Sequence, residues 1–343
     1  MPRPRLLLRA DGNAQLGLGH VVRSLALAED VGALFGEVVL LTQAPGAAVR
    51  QLALAAPATL CPLPAQPASA EAAQVRALVQ PGDVLVLDGH GFDGAYQAAV
   101  LAAGCRLVLL DDLHQHPVLA HLVINRGPAV RAADYQAAPY TRFCLGAAFS
   151  LLRGPFRALA RPPWPAPARI ASALLCFGGA DPLGLTHRTL AALLALPQIS
   201  QISVVLGSAF GAETALRTLA NGVAGQHVAY HRNVPAAALA ALLLAHEVAV
   251  VPASTVLLEA LVLGCAAITG HYTADQQALA GYVAAHHQAF SVGNFARHSA
   301  DTLPAALAQG LAFHQHTLRR PYVEHPQPNG LLSEFQRLIQ APS

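Results

Sequence analysis

The sequence predicts an α/β protein made of two similar domains, each a parallel sheet covered by helices on both faces. Three observations carry this. Short runs of Val, Leu and Ile alternate with longer Ala/Leu-rich stretches of helical spacing, and runs apolar on both faces belong to buried parallel strands. The rhythm breaks once, at 161–169, where four prolines crowd into seven residues. The 343 residues also exceed one ordinary domain and suit two of about 150 residues each.

In chain order, strands are expected at 6–9, 38–42, 84–88, 107–111 and 122–125. Helices over 21–31, 71–79 and 95–103 fill gaps between them. The segment 161–169 fits neither a helix nor a central strand, because proline lacks an N–H and fixes φ, and it reads as an extended linker. The pattern then restarts with strands at 172–177, 201–206, 226–230, 248–251 and 266–269. Helices are expected at 186–194, 212–220, 236–245, 257–263 and 276–284. The domains are therefore set at 1–160 and 170–343. A last amphipathic helix falls at 331–339.

Composition narrows the function classes. Apolar residues make up 54% and charged ones 12%, which excludes a disordered chain. All 21 basic residues are arginine, and 19 acidic ones leave a charge of only +2. A nucleic-acid binder normally carries a concentrated basic surface, so with this near balance nucleic acid is not an expected partner. The longest Ala/Leu run, 236–245, falls short of the roughly 20 residues of a membrane span, and no stable membrane association is expected. The N-terminus lacks the hydrophobic stretch of a secretory signal. Cys61, Cys105, Cys144, Cys176 and Cys265 are dispersed, with no C-x-x-C pair. They read as buried thiols in a reducing cytoplasm.

The densest motif runs from Arg9 through Asp11, Asn13, Gly17, Gly19 and His20 to Arg23: a strand, a glycine-containing loop and a helix. Gly17 and Gly19 permit a tight turn and close backbone approach, and the opening helix offers N–H groups to an anion. His20 at the positive end of that helix is disposed to stay neutral and serve as a base. A plain βα turn with a capping histidine explains the spacing equally well. The spacing does not match a dinucleotide-binding G-x-G-x-x-G.

Further candidates sit where strands end, the side on which open α/β sheets bind ligands. Asp88 and His90 follow one strand, and Asp111 and Asp112 another; a loop-opening or helix-capping aspartate is the ordinary alternative there. Gly178 and Gly179 open the second domain as Gly17–His20 open the first, with Asp181 a candidate cap. Ser254 and Thr255 begin a helix whose N-terminus suits a diphosphate, and Glu259 lies within reach of ribose hydroxyls. Gln276 and Gln277 open the next helix. His114 and His116 have no carboxylate or cysteine partner at suitable spacing, and no metal site is expected.

Taken together, Arg9-x-Asp11-x-Asn13-x-x-x-Gly17-x-Gly19-His20-x-x-Arg23-x-x-x-Leu27-Ala28 closely resembles the opening of the UDP-sugar hydrolases of pseudaminic acid biosynthesis. The likeness continues through Asp88, His90 and Asp93, Asp111–Leu113, Leu145-Gly146, Leu151–Arg153, Phe177–Asp181 and Thr255–Glu259, and ends near Gln276-Gln277. The resemblance implies a GT-B architecture, two Rossmann-like domains with a cleft between them and the last helix returning to the first domain. It implies hydrolysis of UDP-2,4-diacetamido-2,4,6-trideoxy-β-L-altropyranose to the free sugar and UDP, without metal or other cofactor. It makes His20 the general base and places Asn13, Gly17, Gly19, Arg23, Asp88, His90, Arg153, Gly178, Gly179, Ser254, Thr255, Glu259, Gln276 and Gln277 around the UDP-sugar. The chain departs from that pattern in three places. Ala253-Ser254 stands for a glycine pair, Gln276-Gln277 for Asn-Gln, and His90 for an aromatic residue, commonly tyrosine. A glycosyltransferase of the same fold, or a non-catalytic sugar-nucleotide binding protein, is the alternative.

Overall fold

The computed structural model describes residues 3–13, 16–128, 130–163, 165–179, 181–207, 210–322 and 330–340. Two compact units divide it, one of residues 1–153 with 325–343 and one of residues 154–324.

The first unit alternates strand and helix as far as β5 and then adds two strands: β1 (Arg5–Ala10), α1 (Gly19–Val31), β2 (Glu37–Gln43), α2 (Ala47–Ala55), β3 (Thr59–Leu63), α3 (Ala68–Leu78), β4 (Val84–Asp88), α4 (Gly94–Leu101), β5 (Arg106–Leu110), β6 (Leu122–Asn125) and β7 (Arg142–Leu145). All pairings are parallel, in the order β3-β2-β1-β4-β5-β6-β7. Side chains alternate across a strand, so β1 serves two cores. Leu6, Leu8 and Ala10 join Val21, Leu25 and Leu27 of α1, whereas Leu7 joins Ala72 and Val75 of α3 and Val100 of α4.

The second unit begins with α5 (Gly154–Ala158) and continues β8 (Ser172–Cys176), α6 (Leu185–Leu194), β9 (Gln201–Leu206), α7 (Glu213–Asn221), β10 (His227–Arg232), α8 (Ala236–Ala245), β11 (Val248–Val250), α9 (Thr255–Val262), β12 (Ala266–His271), α10 (Ala274–Ala285), β13 (Phe290–Asn294) and α11 (Thr302–His316). Its parallel sheet runs β10-β9-β8-β11-β12-β13, the same winding as the first. Ala173, Leu175 and Phe177 pack with Leu190 of α6 and Leu303, Leu307 and Leu311 of α11.

Helix α12 (Gly330–Gln340) belongs to the first unit, where Leu331, Phe335 and Leu338 enter the core beside α1. The break between units falls after Arg153, ahead of the expected position at 160, because α5 packs on α8 and α9. The proline-rich segment is tied down rather than free. The Arg161 backbone N–H donates to Val262 O at 3.0 Å, its Nε donates to Leu263 O at 2.9 Å, and Pro162 lies so close to Gly264 that a Cβ there would strike its carbonyl. Trp164 lies outside the described residues. Among the described residues no helix is long and apolar enough to cross a membrane.

Candidate functional site

In each sheet the chain winds outward in one direction and then returns to the other side of its first strand. The first switch point lies between β1 and β4, the second between β8 and β11. Open α/β sheets bind ligands beyond the carboxyl ends of strands at such points. The register pairs Ala10 with Asp88, so β1 and β4 end level and deliver their loops to one place.

At the first point α1 starts at Gly19, which makes His20 its second residue. Gly17 takes φ +74°, which a side chain disfavours, and pairs with Asn13, whose N–H reaches Gly17 O at 3.1 Å. The Asn13 side chain accepts from Leu16 N–H at 2.8 Å. His20 and Arg23, three apart, share one helix face. Both meet Asp88, whose side chain is fully buried. His20 Nδ1 stands 2.7 Å from Asp88 Oδ1. Arg23 Nε donates to Asp88 Oδ2 at 2.8 Å, its Nη2 donates to Oδ1, and Ser24 Oγ donates to Oδ2 at 2.9 Å. The other end of the guanidinium, Nη1, donates to Asp112 Oδ2 at 2.6 Å.

This packing keeps both carboxylates ionised and orients the His20 ring. Burial raises the cost of charge on Asp88, but the Arg23 guanidinium outweighs it and holds that carboxyl far below the usual carboxylate range. Asp112 is likewise held down by Arg23 against its burial, and the two carboxylates push Arg23 up. An ionised Asp88 only accepts, so Nδ1 carries the His20 proton and Nε2 is the basic nitrogen. His90, exposed on the loop after β4, meets the His20 ring edge-on with centroids 5.4 Å apart.

A second network supports the loop. Arg9 and Glu71, both buried, pair through 2.7 and 2.6 Å contacts, and Tyr96 Oη donates to Glu71 at 2.7 Å. Arg9 Nη2 also donates to Asp11 at 2.7 Å, and Asp11 accepts from Gln43 N–H at 2.8 Å. Asp11 thus braces the loop against β2, and the residue orienting His20 is Asp88. Asp93 caps α4 by accepting from Tyr96 N–H at 2.9 Å, and Asp111 closes its own loop through the N–H groups of Leu113 and His114. Arg153 is partly buried and ends the first unit.

At the second point Gly178 has φ +87°, and the Gly179 backbone lies against Gly207 too closely for a side chain at 207. Asp181 accepts from Leu185 and Thr186 N–H at 2.8 and 2.7 Å and so caps α6. Ser254 is the N-cap of α9 but makes no side-chain cap bond, and Thr255 opens the helix beside it. Glu259, expected to face ribose hydroxyls, is buried, with 1% of its surface exposed. Gln276 is buried and its Oε1 accepts from Tyr272 N–H at 3.1 Å, whereas Gln277 lies on the open face of α10. The structure therefore brings His20, Arg23, Asp88 and His90 together in one unit, and in the other the glycine pair follows β8 while Ser254 and Thr255 follow its paired neighbour β11. Asp112, weighed in the sequence mainly as a loop-opening residue, and Ser24 join the first cluster.

No family model matches the sequence, and no curated protein matches it. Solved structures do match in fold. The crystal structure of MurG from Acinetobacter baumannii aligns with TM-score 0.63 at 16% identity, over 98% of this chain and 99% of that one. HepE from Anabaena, crystallised with UDP and glucose, aligns at 0.60 and 14% over 98% and 99%. A putative UDP-N-acetylglucosamine 2-epimerase from Listeria monocytogenes aligns at 0.58 and 10% over 100% and 98%. With two wound parallel sheets and these neighbours, the chain has the two-domain GT-B fold.

Proposed function

We propose that this chain is a nucleotide-sugar hydrolase that releases UDP from a UDP-diacetamido-trideoxy-hexose, the step its N-terminal motif resembles in pseudaminic acid biosynthesis. The observation that carries the reading is the His20 Nδ1–Asp88 contact at 2.7 Å, which leaves Nε2 as a base on a partly exposed ring. His20 Nε2 takes a proton from water, the water oxygen bonds to the anomeric carbon with inversion, and the bond to the phosphate oxygen breaks. Its electron pair leaves with UDP. The start of α9 at Ser254 and Thr255 presents the positive end of a helix to the diphosphate, and the glycine pair lets backbone approach it. Glu259 and Gln276 serve from below the surface, Glu259 toward the ribose and Gln276 by holding its loop. His90 and Arg153 of the first unit serve the sugar, and Gln277 of the second unit serves the sugar or the phosphate.

A second reading has support of its own, since glycosyltransferases share this fold. The same base would then remove the proton of an acceptor hydroxyl. UDP release from a panel of UDP-sugars, without acceptor and with a chelator present, separates the two. Rapid release from the diacetamido-altrose substrate, lost in His20→Ala with UDP binding kept, is the expected result. Release that begins only when an acceptor is added would make the chain a transferase, and UDP binding without turnover a binding protein.

A further inference from the structure

We propose that Asp112, through Arg23, is a positioning residue that keeps Asp88 available to the His20 imidazolium. The inference deepens the proposed function and rests on it for its catalytic part. Arg23 is nearly buried and its guanidinium is divided: Nε and Nη2 hold Asp88, while Nη1 is held by Asp112 at 2.6 Å. Its Nη2 also lies 3.1 Å from His20 Nδ1. A guanidinium shared between two carboxylates neutralises neither completely. With Asp112 gone, the whole cation would fall on Asp88 and face His20. The side chain that must accept positive charge when water is deprotonated would then meet an unbalanced arginine.

Asp112 also fixes geometry. It anchors the far nitrogen of the fork and so sets the angle at which the other edge grips Asp88, whose Oδ1 is the atom that meets His20. The charged and titratable groups around His20 are Arg23 on its own helix, Asp88 and His90 from β4 and its loop, and Asp112 after β5. Arg126 acts on Asp112 through space. Asp111, the next carboxylate, is occupied with its own loop and provides a control.

The test is a pH titration of the His20 ring carbon resonance by NMR in the full chain, assigned with His20→Gln. In Asp112→Asn the titration midpoint is expected to fall by about one pH unit, a tenfold loss of proton affinity, and Asp111→Asn is expected to move it much less. An unchanged or raised midpoint in Asp112→Asn would overturn the proposal. So would an equal shift in Asp111→Asn, because the effect would then be the diffuse field of any nearby carboxylate. UDP release run beside it keeps the two ideas apart. Where the wild type turns over, kcat of Asp112→Asn falls with KM retained. Where it does not, the hydrolase reading fails and the titration still decides the role of Asp112.

Discussion

One carboxylate organises the first-unit cluster. Asp88 accepts from His20, Arg23 and Ser24 with no exposure to water, and the surrounding donors keep it ionised. Its loss removes the partner that fixes the His20 tautomer and strands a buried guanidinium. Asp88→Asn is therefore expected to lower UDP release by about 10²–10⁴-fold, and to destabilise the first unit by about 3 kcal/mol. Paired measurements of turnover and urea unfolding check this; full turnover in the variant would remove Asp88 from the mechanism. Part of this cluster is legible in the chain. His20 and Arg23 lie three apart on one helix face, and Asp88 ends an apolar strand. The Arg23–Asp112 pair is not legible, because only the sheet order places the end of β5 near α1, and an aspartate opening a loop has an ordinary local use.

Among elements, α9 and α11 show how the second unit supports its strand ends. The carbonyls just past the C-terminal end of α9 are met by arginines, Arg161 Nε on Leu263 O at 2.9 Å and Arg319 Nη1 on Gly264 O at 3.1 Å. Cations suit that end of a helix, and they leave its opposite end for an anion. On α11, His314 is fully buried and donates from Nε2 to Ala267 O of β12 at 2.9 Å. Burial pushes its pKa down to about 4, below the ordinary 6.5. The folded state therefore holds the neutral ring while the unfolded chain would bind a proton. Its stabilising contribution is complete above about pH 6.5 and is lost as pH falls toward 4. The loss amounts to about 3 kcal/mol across that window. Urea midpoints of the wild type should drop between pH 7.5 and pH 5, and His314→Leu should flatten that drop. An equally steep fall in the variant would assign the acid sensitivity to other groups.

At the scale of the whole molecule, the central strands were legible, and among the edge strands β10 stands where the strand at 226–230 is expected while β3, β7 and β13 were not legible. Strands such as Val84–Asp88 and Gln201–Leu206 stand where apolar runs predict them, since both faces are covered. At the three edges that were missed, β3, β7 and β13, Pro62, Arg142 and Gly293 interrupt the apolar run and half the face meets solvent. The end of the first unit after Arg153 was equally hidden, because α5 is assigned by packing that no local pattern reports. This has a consequence for folding. The first unit is discontinuous: its core includes Leu331, Phe335 and Leu338, and Phe335 meets Phe35 edge-on at 6.3 Å. Burying these three side chains contributes about 2–3 kcal/mol each, together comparable with the whole stability of a domain, about 5–15 kcal/mol. The second unit, by contrast, is continuous and has its own sheet and core. A fragment of residues 154–322 should melt cooperatively by circular dichroism. A fragment of residues 1–153 should not, and it should regain a cooperative transition when a peptide of residues 325–343 is added. Cooperative melting of 1–153 alone would show that α12 covers a core already able to stand without it.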